Sequence, residues 1–459
     1  MRRLAIALLP ALLAIAPAPI PSAGAASPIP RYPWPVAVRY EGMLQLEGHY
    51  ARPGEKRLHH SIQQFVTDGV GRVRLDWTTW GVGDSAGAPE SFLISGGRTF
   101  HRDAPDQPWR ELSGEAAGLA RMQAQAGLPE MIVHDRMVAG LSFDRARRGI
   151  DVVRVARAHP RLGDVVNLVR YEHDETPMPI ILTMRVFESG DQWTLDAHRT
   201  AADSGAVAES LLATPVRFDP APPSSAASPA PTIRPLANGV WCVDQEDADA
   251  RSLVVEFARY LAVIEAADGS ATGERMVDAI AARWPQKPIR YAFFSHYHPH
   301  YTGGLRALMA AGATIVTTPG NAAFVRQVES YPFDIAPDRL ARRPRPLKLH
   351  TFHRRIELAD STQRLVAVDI GPRSTHTDEF AIFWLPRARM VFEAEQGWVT
   401  TGGTLRAGRR AEGFLRVLAD ERLDADRLVQ AWPMRDTRPE LSRAELEGLV
   451  RARAAAGGR

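Results

Sequence analysis

The sequence predicts an α/β protein in two parts: a mainly antiparallel β domain over residues 36–218, then a layered α/β domain over 236–455. Three observations carry this reading. The first region alternates apolar and polar residues with a period of two between glycine turns, as half-buried antiparallel strands do. The second interleaves short apolar runs with a stretch whose large apolar residues recur four apart, the rhythm of strands and helices in succession. Between them, 219–235 is dominated by proline, serine and alanine, a composition that builds no core and favours extended chain, so it reads as an interdomain linker.

At 459 residues, 45% hydrophobic and 24% charged, the chain has length for two or three domains with sizeable cores. A formal charge of +3 with scattered arginines, and no nucleic-acid-reading motif, gives no expectation of a nucleic-acid partner. Met1-Arg2-Arg3, an apolar run over 4–20 and the small residues Ala23-Gly24-Ala25 predict a secretory signal peptide over 1–26, cleaved after Ala25 or Ala26. Prolines at 10, 17, 19 and 21 interrupt the run, so no transmembrane anchor is expected and the mature chain should be periplasmic or secreted. Cys242 is the single cysteine, which rules out an intramolecular disulfide; within the strand-like run 239–244 it reads as a buried apolar residue.

In the first domain, strands are expected at 36–41, 72–77, 91–95, 151–158, 165–172, 182–187 and 192–196, with Gly69, Gly71, Gly96, Gly97, Gly163 and Gly190 marking turns. One helical insertion is expected within 114–137. Long strands with few helices resemble the curved open sheet of LolA-like periplasmic lipoprotein carriers. The resemblance implies a concave face that holds a hydrophobic chain or covers a neighbouring active site; the alternative is an unrelated β domain with no ligand.

In the second domain, strands are expected at 240–243, 252–257 and 260–264, then a helix carrying Met276, Ile280 and Trp284. The strand 289–294, a helix from 305, the strand 313–318, a short helix over 321–328 after Pro319, and strands at 363–370 and 379–384 follow. No repeat of solenoid length is present.

The chemistry concentrates after the strand 289–294, where His296, His298 and His300 fall on one turn. Imidazoles at i and i+2 beyond a strand end can converge on one divalent cation. Gly303-Gly304 then lets the backbone bend close to that turn before the next helix.

Ser295, His296, His298, Gly303 and Gly304 resemble the signature of the metallo-β-lactamase-fold hydrolase superfamily, strand-(Thr/Ser)-His-x-His-x-Asp-His-x-Gly-Gly. The family's Asp and third His positions hold His300 and Tyr301 here. The resemblance implies an αββα sandwich over nearly all of 236–455. It also implies a third metal histidine from a later loop, and Gly371-Pro372-Arg373-Ser374-Thr375-His376-Thr377, ahead of the strand at 379–384, places His376 in that role. His296, His298 and His376 would form a Zn²⁺ tripod with a fourth position open for water.

By the same resemblance Glu395 stands where the family has a bridging aspartate; the alternative is that it pairs with a nearby arginine. The family's last metal histidine is absent, and Arg435, which cannot ligate a cation, lies there instead. Arg435 would bind a substrate carboxylate or phosphate, replace the charge of a second metal, or be a surface residue. His300 would ligate, act as a base or point away; Tyr301 would donate to an oxyanion or pack. The expectation is therefore an exported zinc-dependent hydrolase with one principal zinc and a largely lost second site. Its partner would be a small-molecule ester, lactone, amide or phosphoester, with His300 or Glu395 handling the proton. The alternative is a catalytically weakened metal- or ligand-binding protein on the same scaffold.

Overall fold

The computed structural model describes residues 35–47, 56–68, 71–113, 117, 142–145, 150–159, 163–172, 181–188, 191–221, 229–334 and 336–455. The signal-peptide expectation and, apart from Ala117, the helical insertion within 114–137 lie outside these residues, as do Gly69 and Gly190.

The first region forms one 12-stranded sheet: β1 Val36–Glu47, β2 Lys56–Thr67, β3 Val73–Gly81, β4 Glu90–Ser95, β5 Arg98–Arg102, β6 Trp109–Leu112, β7 Ser142–Arg145, β8 Ile150–His159, β9 Gly163–Glu172, β10 Ile181–Glu188, β11 Asp191–Ser204 and β12 Phe218–Asp219. Its order is β12-β6-β5-β4-β3-β2-β1-β11-β10-β9-β8-β7. β1 pairs antiparallel along its whole length with both β2 and β11, so a strand from late in the region returns beside the first. Gly163, expected as a turn, instead opens β9 opposite His159. The helix α1 Ala206–Leu211 lays Ala208, with Leu212 beyond its end, against Ala37, Val66, Leu93 and Phe100.

The second region holds two further sheets. β13 Thr232–Ala237, β14 Val240–Gln245, β15 Ala250–Glu256, β16 Leu261–Ile264, β17 Ile289–Phe293, β18 Thr314–Thr317 and β19 Lys348–Thr351 lie side by side in sequence order, antiparallel up to β16 and parallel after it. β20 Arg355–Ala359, β21 Arg364–Asp369, β22 Ala381–Leu385, β23 Met390–Glu393, β24 Arg427–Gln430 and β25 Glu440–Ser442 form the other. The helices are α2 Ser270–Arg283, α3 Pro299–Thr302, α4 Leu305–Ala311, α5 Ala322–Ser330, α6 Arg339–Arg342, α7 Gly408–Asp420 and α8 Arg443–Ala455.

Side-chain alternation along the strands builds the layers. Leu253, Val255, Ala262, Ile264, Phe293 and Val316 face a core shared with the second sheet, while Val254, Val263, Ala292 and Ile315 face α2, α4 and α5. Phe414, Val417 and Leu418 of α7, with Leu446 of α8, close the outer face of the second sheet. The result is helices, sheet, sheet, helices: an αββα sandwich preceded by a β-sheet region.

Residues 232–235, inside the Pro/Ser/Ala-rich stretch, enter β13 rather than staying linker. Proline is tolerated there because β13 is an edge strand, and the register slips between Pro235 and Ala237. Cys242 is fully buried, and its thiol donates to Asp244 Oδ1 at 3.1 Å. Burial, and then the Asp244 charge, push its pKa far up, which leaves it without thiolate character. Among the described residues, no helix is long and apolar enough to cross a membrane.

Candidate metal centre

The site forms where the ends of β16, β17, β21 and β23 release their loops at one edge of the sandwich. β17 delivers Ser295, His296 and His298 within a few residues of its end. Glu265, directly after β16, secures this turn: both oxygens of its buried carboxylate accept the Ser295 N–H, at 3.1 and 3.2 Å. The Ala266 N–H donates to the Tyr301 carbonyl and the Gly304 N–H to the Ala266 carbonyl, so the chain leaving the histidine turn is stitched to the chain leaving β16.

The Gly-Gly pair is required by space. A Cβ on Gly303 would lie 1.6 Å from the Asp268 carbonyl oxygen, and one on Gly304 would lie 2.9 Å from the Gly273 Cα. The expected close backbone approach is thus made against α2 and the turn before it.

His376 arrives on the loop after β21. Ser374 Oγ accepts the N–H groups of His376 and Thr377, at 3.1 and 3.2 Å, and Thr375 adopts a left-handed φ of 54°. The Ala381 N–H donates to the Ser295 carbonyl, tying this loop to the histidine turn. Phe380 stacks under the His296 ring at 4.6 Å between centroids. Glu395 follows β23 with a φ of 58°.

His296, His298, His376 and Glu395 each turn one ligand atom inward, all four within 4.8 Å of one another. His296 Nδ1 lies 3.0 Å from Ser295 Oγ. With that nitrogen protonated and donating to the hydroxyl, Nε2 keeps its lone pair for the centre. Burial, followed by the neighbouring His298 and His376, drives the His296 pKa well below the ordinary imidazole value, so the ring is neutral and competent to ligate. Burial opposes ionisation of Glu395, but His376, with the charges of His298 and His300, outweighs it and holds the carboxyl at about 2.

His376 Nε2 and Glu395 Oε2 are 2.8 Å apart, with the donor atoms of His296 and His298 in the same cluster. Lone pairs gathered this closely fit a common positive ion between them. Three imidazole nitrogens and a carboxylate oxygen are also a donor set that suits zinc. The residues fit a metal.

The other expected site residues stand differently. The His300 ring stacks on Trp432, 4.2 Å between centroids and 7° between planes, and is outside the four-residue group. Tyr301 is fully buried, its ring 4.7 Å from that of His296. Burial together with the Glu395, Glu265 and Glu393 charges raises its pKa far up. The Arg435 guanidinium donates to the Glu246 carbonyl, and its backbone N–H to Asp249 Oδ1.

Sequence reasoning missed four contributors. Arg410, on the first turn of α7, donates to Glu395 Oε2 at 3.0 Å. Glu265, whose pKa burial lifts to about 8, reads in sequence only as a strand end. Glu393 is fully buried, lifted to about 7 by the same cause, and accepts the Gln396 N–H. Trp432 carries no motif. Only the buried-strand context of Glu393 offered a signal, since a carboxylate in a fully apolar strand needs a reason to be there.

No protein-family model and no curated protein matches the chain. Its neighbours among solved structures are metallo-β-lactamase-fold proteins. One is a metallo-β-lactamase from Pontibacter korlensis, 15% identical, with a TM-score of 0.35 over 48% of this chain and 99% of the other. Another is the metallo-β-lactamase FIM-1 from Pseudomonas aeruginosa in its mono-zinc form, 18% identical, with a TM-score of 0.34 over 50% of this chain and 99% of the other. A third is the inverting sec-alkylsulfatase Pisa1 from Pseudomonas sp., 15% identical, with a TM-score of 0.34 over 49% of this chain and 42% of the other.

Proposed function

We propose that this chain is an exported hydrolase that works with one principal zinc ion held by His296, His298, His376 and Glu395. The observation that carries the proposal is the convergence of these four ligand atoms within 4.8 Å. When bound, zinc supplies Lewis acidity for a polarised ester, lactone, amide or phosphoester oxygen and lowers the pKa of water toward about 7.

The remaining work falls to the chain. His296 is held neutral by burial and steadied by Ser295 and the Phe380 ring. Glu265 fixes the turn that aims His296 and His298. His300, half-buried against Trp432 beside the ligands, is the group placed to hold or pass a proton at one of its ring nitrogens. Tyr301, fully buried, packs its ring against that of His296. Trp432 and Trp398, with ring centroids 5.5 Å apart, give the neighbourhood an apolar wall that suits a substrate with a hydrophobic portion.

Export rests on the basic start, apolar run and small residues of 1–26. The β-sheet region would, as in the carriers it resembles, handle the apolar part of the ligand. The test is turnover of a panel of esters, lactones, amides and phosphoesters by the mature protein, repeated with His298→Ala. Turnover that vanishes in the variant supports the proposal. A protein that keeps zinc but turns over nothing is the metal-binding alternative.

A further inference from the structure

We propose that Arg410 is the oxyanion-binding residue of this site: held on Glu395, its guanidinium presents its remaining donors to a carboxylate, sulfate or phosphate group carried by the substrate. That the anion belongs to a substrate rests on the hydrolase reading above; that Arg410 binds an anion does not.

The helix does not account for this arginine. Arg410 lies in the first turn of α7, where a cation opposes the helix dipole at a cost of about 0.3–1 kcal/mol, and no acidic residue in that turn offsets it. What holds it is Glu395. Its Nη1 donates to Oε2 at 3.0 Å, the same oxygen that lies 2.8 Å from His376 Nε2, so one carboxylate oxygen joins the guanidinium to the ligand cluster.

The two partners differ in access. The Glu395 side chain is 6% exposed and that of Arg410 27%, so the arginine is the member of the pair that incoming solute meets. Guanidinium carries several N–H donors in a planar fork. Among the described residues Glu395 is the one hydrogen-bond partner of Arg410, which leaves the other donors for a second oxyanion.

The neighbouring positions strengthen the assignment. The described residues contain one group of ligands sized for a metal, and it does not include His300 or Tyr301. Arg435 donates to the Glu246 carbonyl. Arg410 is the cation that stands beside the cluster, and its charge reaches His296.

The experiment titrates inorganic phosphate, and separately inorganic sulfate, into zinc-loaded and metal-free mature protein by calorimetry, for wild type, Arg410→Gln and Arg410→Lys. Zinc content and thermal midpoint are measured for each. The expected result is anion binding by wild type that weakens about 10-fold or more in Arg410→Gln, loaded and metal-free alike, and is partly kept by Arg410→Lys. Should Arg410→Gln lose its zinc, the comparison in metal-free protein decides. Equal affinity in wild type and Arg410→Gln, or no anion binding by wild type, overturns the proposal. A protein that takes up no zinc but binds phosphate through Arg410 sinks the hydrolase reading and leaves this one standing.

Discussion

His376 Nε2 and Glu395 Oε2 meet at 2.8 Å, although one comes from the loop after β21 and the other from the loop after β23. Burying these groups together with the His296 and His298 rings costs free energy that a shared cation would return. Glu395→Gln keeps the shape and removes the charge. It should lower zinc affinity by about 100-fold or more, beyond what loss of an outer-shell partner does, as read by competition with a chelator. Unchanged affinity would remove Glu395 from the ligand set.

Arg306 and Asp338 make a bidentate pair at 2.6 and 3.1 Å, with side chains 3% and 5% exposed. Arg306 also donates to the Val328 and Glu329 carbonyls, and Asp338 accepts from Ser270 and Ala341, so α2, α4, α5 and α6 meet in one network. Arg306→Met strands a buried carboxylate and should cost about 3–5 kcal/mol in urea unfolding.

The same pair sets a pH dependence. Burial disfavours the Asp338 carboxylate, but Arg306 and its other donors overcome this and lower its pKa below the ordinary 3.8. A carboxyl with a depressed folded pKa stabilises the fold above its unfolded pKa and loses that contribution as pH falls through the folded value. Wild type should therefore lose stability as pH drops from about 4 downward. Asp338→Asn should show a shallower loss over that window; identical slopes would mean the pair carries none of it.

Gly303→Ala forces a Cβ into the Asp268 carbonyl, which is backbone and cannot rotate away. The histidine turn must shift, at a cost of about 1–3 kcal/mol or more. Both the thermal midpoint and zinc uptake should fall. Gly448→Ala, where nothing lies within 4 Å, is the control that should change neither.

Arg251 is buried at 4% exposure and donates to the Gln430 and Met434 carbonyls and to Thr437, pinning the loop that carries Trp432. Arg251→Met leaves those acceptors unpaired, at about 1–3 kcal/mol for each. Trp432 fluorescence should become more accessible to quenchers, and KM should rise more than kcat falls. Unaltered quenching would mean the loop is held by other contacts.

How far the sequence carried the reading varies by element. The apolar runs in 252–257 and 289–294 were legible because each strand is buried on two faces, and the structure divides those residues between two cores. His296 and His298 were legible because both ligands come from one turn. His376 needed a resemblance, since nothing local marks a loop histidine as a partner of residues far behind it. Arg410, Glu265 and Trp432 were invisible for the same reason: each acts through a contact between distant segments, and the local helix, strand end or loop would look the same without it. β13 was hidden by Pro235, which an edge strand admits.

The central claim is tested most directly by elemental analysis of the mature protein after zinc loading and dialysis, for wild type and His376→Ala side by side. The account predicts about one zinc per wild-type chain, as a single four-ligand site holds, and essentially none retained by the variant. Wild-type protein that retains no zinc, or a variant that retains as much as wild type, would contradict it.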